Sequence, residues 1–546
     1  MLLAMLGACG AGPQPASMTS NHPGRHSGSK LVVVVVLDQF GSWVLERYSP
    51  FLPEDGFLRT LIARGAYFEA ARYEYAGTYT APGHAAIFTG APPARSNVSS
   101  NRIWDRARGR DFSTVDDGRH AIFGHEGAFA SPSILRAPTV GDRLKEESAG
   151  RARVVAISMK DRSAVLPGGM RPDAAVWFDK AGRGFSTSTF YAPAMPDWLT
   201  RFRETHPFES YLEEWTPEDP VWLAREFGSD DASGEGDWEG FGTTFPHDAS
   251  RSRSPANTFM MTPGATRYEL DVTRAAISEF GLGADEVPDL LALSISAIDI
   301  VGHTFGPESW EYADNLVRVD HMLGQFMREL EAQTTVSWLV TADHGVVRLP
   351  ERAAEHGEFG GRLLARDVES EARAAVVASG GAGGDVLTFV QPLVYFSAAL
   401  REGPQAAEAA SAVVARLRQM PCVHSAYRVA DADSLAASND PVERASAASI
   451  DADRRGDVFV VPRHGCLVDE DSPEGFGTSH GTPWDYDARV PVIVAHGGMS
   501  PYRVSEEVEQ NRVAATVAEL LGIQFPSGGG VRRSLLLLGA SGEVSP

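Results

Sequence analysis

Short, wholly apolar runs alternate along this chain with segments whose apolar residues recur every three or four positions. The first kind has the length and β-branched content of strands buried on both faces; the second has the period of an amphipathic helix. Leu31-Val-Val-Val-Val-Val-Leu37, Leu290-Leu-Ala-Leu-Ser-Ile-Ser-Ala-Ile298, Val336-Ser-Trp-Leu-Val-Thr-Ala342, the run beginning at Val154 and Val490–Ala495 are predicted strands. Tyr312, Leu316, Val319, Leu323, Phe326 and Leu330 make one helical stripe. A final helix is predicted near Ser505–Leu521, with Glu506 and Glu507 in its first turn and Gly522 as its stop. The alternation predicts an α/β fold, a central mostly parallel sheet with helices on both faces.

Two regions break the pattern. Residues 168–285 are rich in Trp, Phe, Asp and Gly with weak periodicity, and read as a first insertion over the site. Residues 352–475 hold a Gly-rich turn (Ser379–Asp385), an Ala-rich helix (Gln405–Met420) and a strand (Val458–Val461), and read as a second insertion, a small α+β cap. The core is then 31–167, 286–351 and 476–546.

Three of the strands run into acids. Asp38 follows Leu37; Asp299 follows Ile298, with His303 beyond it; the pair Asp343-His344 follows Ala342. Ligands of open α/β sheets bind outside the carboxyl ends of the strands, so the three suggest one metal site. Asp and neutral His suit Zn²⁺. Asp299-x-x-x-His303 is expected to span a tight loop, and Asp343 and His344 can converge because the strand has ended. His480, in the small-residue loop Gly477-Thr-Ser-His-Gly481, is a further candidate ligand. His321 on the amphipathic helix, and His464 and His496 at strand ends, fit less well.

In Thr78-Tyr-Thr-Ala-Pro-Gly-His84, Pro82 and Gly83 mark a turn into a short helix, Ala85–Thr89. Thr80 then sits at or next to a helix N-terminus. Two roles are open to it: a nucleophile beside a phosphate seat, or an N-capping side chain. The strand from Val154 terminates in Lys160 and Arg162, which serve either a bound phosphate ester or salt bridges to surface acids.

Charge sharpens the choice. The formal net charge is −23, from 72 acidic and 49 basic residues. So acidic a chain argues against nucleic acid or an anionic membrane surface as partner, and an anionic substrate would need positive charge supplied locally. Hydrophobic content of 43% and charged content of 22% are those of a soluble globular protein, and no stretch has transmembrane length.

At the N-terminus, Leu6-Gly-Ala-Cys9 is similar to a lipobox, although the apolar part is short and no charged segment precedes it. The reading is a signal remnant or lipoprotein tether over residues 1–30, with Cys9 available for lipid attachment to a membrane. Cys422 and Cys466 can then pair as a disulfide or stand as separate buried thiols. The expected location is exported: periplasmic, as an outer-membrane-anchored lipoprotein if Cys9 is lipidated.

The order Asp38, Thr80-x-Pro82-Gly83-His84, Asn101, Lys160-x-Arg162, Asp299-x-x-x-His303, Asp343-His344, His480 resembles the alkaline phosphatase superfamily. Within it, the motifs are most similar to phosphate-irrepressible, threonine-nucleophile alkaline phosphatases, over roughly residues 31–525. The resemblance implies an alkaline-phosphatase-like sandwich with inserted cap segments and two zinc ions per chain. Asp299, His303 and His480 would hold one ion; Asp38, Asp343, His344 and Thr80 the other. It also implies that Asn101, Lys160 and Arg162 bind the phosphate, Asn101 being a better candidate than Asn97. The implied function is hydrolysis of small-molecule phosphate monoesters by in-line attack of a threonine alkoxide, through a phosphothreonine intermediate. A nucleotide pyrophosphatase or phosphodiesterase on the same core is the alternative, and an inactive surface-anchored binding lipoprotein a more distant one. A sulfatase does not fit, because Thr80 stands where Cys or Ser would be needed.

Overall fold

The computed structural model describes residues 28–469, 475–524 and 533–540. Its centre is a ten-stranded sheet. In chain order the strands are β1 (Leu31–Leu37), β2 (Ala66–Arg72), β3 (Val154–Ser158), β4 (Ala174–Asp179) and β5 (Gly184–Ser186), then β6 (Asp289–Ile295), β7 (Val336–Thr341), β8 (Arg489–Ala495), β9 (Tyr502–Val504) and β10 (Val508–Glu509). Across the sheet the order is β9-β2-β8-β7-β1-β6-β3-β4-β5, with β10 also on β2. β8 and β5 run antiparallel to their neighbours, and the central five, β7-β1-β6-β3-β4, are all parallel. The sheet is therefore mostly parallel, as its unbroken apolar runs require: Val32 to Val35 are each 0% exposed.

Register sets the site. Leu37 pairs with Ile295, Val36 with Thr341, and Ser158 with Ser294, so β1, β6, β7 and β3 end at nearly one level. Whatever follows each strand emerges at the same edge.

Four sequence expectations change. Asp299 and His303 lie on one helix, Ala297–Phe305, and not on a loop. Spacing of four on a helix also puts both side chains on one face. The helix bearing Thr80 starts at Thr80 itself and runs to Thr89. Pro82 and Gly83 are thus inside its first turn, where proline's missing N–H costs nothing. The last helix spans only Val513–Leu521; Glu506 and Glu507 precede it, and β10 occupies the segment between. Gly522 does close that helix in a left-handed turn, φ +69°. Lastly, β4 and β5 belong to the central sheet, so residues 168–285 are not wholly a cover.

The second insertion carries its own four-stranded sheet, Val386–Val390, Leu393–Phe396, Val458–Pro462 and Val423–Arg428 in spatial order, and a separate apolar core. A disulfide joins Cys422 to Cys466 within it. No helix among the described residues is long and apolar enough to cross a membrane. Cys9 lies outside the described residues.

Candidate metal centre

The strand ends converge as the sequence suggested. Asp38, Asp343 and His344 are 0% exposed, Asp299 2% and His480 4%. Two sets of ligand atoms lie close enough to hold a cation: Asp299, His303 and His480; and Asp38, Asp299 and His344. Asp299 is shared between them, and Asp343 Oδ2 stands 3.3 Å from His344 Nε2, beside the second set. His303 Nε2 is 3.2 Å and His480 Nε2 3.7 Å from Asp299 Oδ1, while His344 Nε2 is 3.5 Å from Asp38 Oδ1.

The three histidines share one device. His303 Nδ1 donates to Thr478 O at 2.8 Å, His480 Nδ1 to Thr78 O at 2.8 Å, and His344 Nδ1 to Gly345 O at 3.0 Å. Each backbone carbonyl fixes the tautomer and leaves Nε2, with its lone pair, facing the carboxylates. This is how ligating imidazoles are oriented. Asp38 Oδ1 and Asp343 Oδ2 are buried without a hydrogen bond, so the donor set fits a cation as its missing partner.

The electrostatics follow. Burial, then Asp299 and Asp343, raise the Asp38 carboxyl well above its usual range. Burial would raise Asp299 too, but His303 and Lys160 outweigh it and hold that carboxyl low. Burial, with His344 and His303 adding, pushes His480 well below an ordinary histidine. That shift favours the neutral ring of His480.

Thr80 is 1% exposed, the first residue of its helix, with Tyr79 at the N-cap; it is not itself the cap. Its Oγ1 lies 3.4 Å from His344 Nε2. Gly83 lets the helix press onto the metal centre: a Cβ there would come within 2.3 Å of Asp343 O.

The phosphate candidates sit in a cavity of about 870 Å³, lined among others by Tyr79, Asn101, Lys160, Arg162, His303 and His480. Asn101 Oδ1 accepts from Ala81 N at 2.8 Å, beside Thr80. Asn97 points elsewhere, toward Ile134 O and Asp453. Lys160 Nζ lies between two carboxylates, 2.6 Å from Asp38 Oδ2 and 2.5 Å from Asp299 Oδ2. Arg162 is the second residue of the helix Asp161–Gly168 and, among the described residues, has only Asp161 as an ion-pair partner, at 3.6 Å. His321 and His464 are exposed, and His496 ends β8; none joins the cluster.

Sequence reasoning missed two contributors. Gln39, φ +68°, donates from its backbone N to Asp343 Oδ1 and from Nε2 to Asp299 Oδ1. His84 is fully buried, with Nδ1 2.8 Å from Thr80 O and 3.3 Å from Asp343 Oδ2, and Nε2 2.7 Å from Ser294 Oγ. His84 was visible within its motif, whereas Gln39 carried no signal beyond adjacency to Asp38.

A parallel sheet gathering Asp and His at its carboxyl edge, with a threonine at a helix N-terminus above them, defines an alkaline phosphatase superfamily site. Residues 32–483 match the family model described as type I phosphodiesterase / nucleotide pyrophosphatase, and the chain belongs to that family. It is 30% identical to alkaline phosphatase PhoV of Synechococcus elongatus over 91% of both chains. It is 28% identical to a Myroides odoratus protein named calcium-transporting ATPase, over 91% of this chain and 93% of that one. Among solved structures, wild-type alkaline phosphatase PafA superposes with a TM-score of 0.85 at 26% identity, over 93% of this chain and 98% of that one.

Proposed function

We propose that the chain is a metal-dependent phosphate monoester hydrolase with Thr80 as nucleophile. The observation that carries the reading is the trio of histidines whose Nε2 atoms face buried carboxylates, with His344 Nε2 3.4 Å from Thr80 Oγ1. Asp299, His303 and His480 would hold one zinc ion, and Asp38, Asp343, His344 and Thr80 a second. When bound, such ions supply Lewis-acid stabilisation of charge on the transferring phosphoryl group.

The residues themselves supply the rest. Thr80 Oγ1 attacks phosphorus opposite the ester oxygen; that P–O bond breaks and the alcohol departs with a proton. Water then cleaves the phosphothreonine, releasing inorganic phosphate and restoring the hydroxyl. The amide of Asn101 and the guanidinium of Arg162 face the non-bridging oxygens, and Lys160 adds positive charge beside Asp38 and Asp299. A monoester dianion exposes more charge to these cations than a diester does, which favours the monoester. ATP hydrolysis is the same phosphoryl transfer to water, so the name of the Myroides relative fits this chemistry without requiring transport.

The second reading, a phosphodiesterase, has the family's own description in its favour. Rates on an aryl phosphate, its bis-aryl diester and ATP, with and without chelator, separate them. The proposal requires chelator-sensitive turnover fastest on the aryl phosphate and lost in Thr80→Ala; a faster diester reverses it. The disulfide supports an exported, periplasmic location, where thiols are oxidised.

A further inference from the structure

The carboxyl edge of the sheet is polarised. Reading across β7-β1-β6-β3-β4, the residues beyond the strand ends are Asp343-His344, Asp38, Asp299, Lys160 and Lys180. Three strands deliver carboxylates or a carboxylate and histidine, and the next two add lysines, each next to an acid, Asp161 and Asp179. Lys180 directly follows the last residue of β4, and β3 and β4 pair in parallel with Ser158 opposite Trp177. Lys160 and Lys180 therefore leave adjacent strands at nearly the same height.

Lys180 lines the same 870 Å³ cavity as Asn101, Lys160 and Arg162. Among the described residues it makes neither an ion pair nor a side-chain hydrogen bond. The carboxylates around it are already engaged. Asp161 accepts from Ser113 and pairs with Arg162. Asp179 accepts from His125 Nδ1 at 2.8 Å and from Gly182 N at 2.6 Å. Asp111 pairs with Arg102, Asp116 with Arg108, and Asp469 with Arg362. Lys180 is exposed at the cavity wall, and Arg162 lines the same cavity. Burial of part of the side chain and repulsion from Arg162 lower the Lys180 pKa, against the opposing pull of Asp161 and Asp179. Such cations attract an anion to the gap between them.

We infer that Lys180 and Arg162 frame a second anion subsite, which selects phosphate monoesters carrying another anionic group on the alcohol part. The inference rests on the monoesterase reading above. The reacting phosphoryl group occupies the Thr80 end of the edge. A carboxylate or second phosphate on the leaving alcohol reaches along it to the Lys180 ammonium. Arg110, on the hairpin strand Arg110–Ser113, is another exposed cavity cation without an ion pair among the described residues, but it does not leave the end of a sheet strand beside Lys160. It therefore serves as the control for non-specific attraction of anions to the mouth.

The test measures kcat/KM on phenyl phosphate, para-carboxyphenyl phosphate and para-phenylene bisphosphate for wild type, Lys180→Met, Lys180→Arg and Arg110→Gln, all metal-loaded. In Lys180→Met the ratio of each two-anion substrate to phenyl phosphate should fall about five- to tenfold, the scale of one net hydrogen bond at an exposed position. Lys180→Arg should restore most of the ratio. A loss with both second anions identifies a general subsite, and a loss with the bisphosphate alone identifies a phosphate seat. An unaltered ratio in Lys180→Met, or an equal fall in Arg110→Gln, overturns the assignment while leaving the monoesterase standing. Failure of wild type on phenyl phosphate sinks both readings.

Discussion

Gln39 joins Asp343 to Asp299: its backbone N–H reaches Asp343 Oδ1 at 3.2 Å, and its side-chain amide reaches Asp299 Oδ1 at 3.0 Å. One residue in a left-handed conformation, φ +68°, thus orients acids that lie beyond the ends of two different strands. A non-glycine residue held there costs free energy that the surrounding structure must offset. Outer hydrogen bonds to ligating carboxylates are worth about 10–100-fold in metal affinity. We expect Gln39→Ala to weaken metal binding by that range, read as metal retained during dialysis against graded chelator, with turnover recovering in excess metal. Wild-type retention would mean that Gln39 does not support the ligands.

Substrate charge should separate the roles proposed for Arg162 and Lys160 from those proposed for the Asp and His cluster. Arg162 has little else to bind, and its Nε is buried without a hydrogen bond. Removing one preorganised donor to a transition-state oxyanion costs about 10²–10³-fold in rate. Arg162→Ala and Lys160→Ala should therefore depress aryl monoester hydrolysis by that order, and the diester far less. Equal losses on both substrates would contradict monoester selection by these side chains.

The strand ends were legible because period and polarity change abruptly where Leu37 meets Asp38 and Ala342 meets Asp343. Local signals gave the strands, and the parallel-sheet rule placed their ends together. What escaped was conformational and long-range. Nothing in Asp299-x-x-x-His303 distinguishes a loop from one turn of helix, since both bring the side chains together. The contact of Lys160 with both Asp38 and Asp299 depends on β3 lying beside β6, which no local pattern records. β4 and β5 were assigned to an insertion because the segment that follows them is irregular, although Ala174–Asp179 is buried throughout.

The second insertion grips the loop that leads to Thr80. Ser449 Oγ, at the end of the helix Pro441–Ser449, accepts from Ala76 N at 2.7 Å and Gly77 N at 2.9 Å, just before Thr78-Tyr79-Thr80. Asp451 Oδ2 accepts from Ser99 Oγ at 2.9 Å, on the loop carrying Asn101. Ser449→Ala would strand the buried Gly77 N–H, a loss of about 1–3 kcal/mol. We expect that decrease in denaturant unfolding together with a lower kcat. Wild-type values for both would show the insertion to be a cover that does not position Thr80.

Far from the site, Asp320 couples stability to pH. It is 1% exposed, its Oδ1 accepts from Leu58 N at 2.8 Å at the start of the helix Phe57–Arg64, and its Oδ2 has no hydrogen bond. Burial raises its pKa from 3.8 to about 7, against the lowering effect of that amide. The native carboxyl thus keeps a proton that the unfolded chain releases above 3.8. Its contribution is fully present below the unfolded value and is lost as pH rises through the native one. Asp320→Asn keeps an acceptor for Leu58 N but cannot titrate. The variant should therefore gain stability relative to wild type as pH rises from about 4 to about 7 and level off above that, by at most about 4 kcal/mol at about 1.4 kcal/mol per pKa unit. Denaturant unfolding of the two proteins across this window measures the difference. Parallel stability curves would mean that Asp320 is already ionised in the folded chain, with the helix N-terminus outweighing burial.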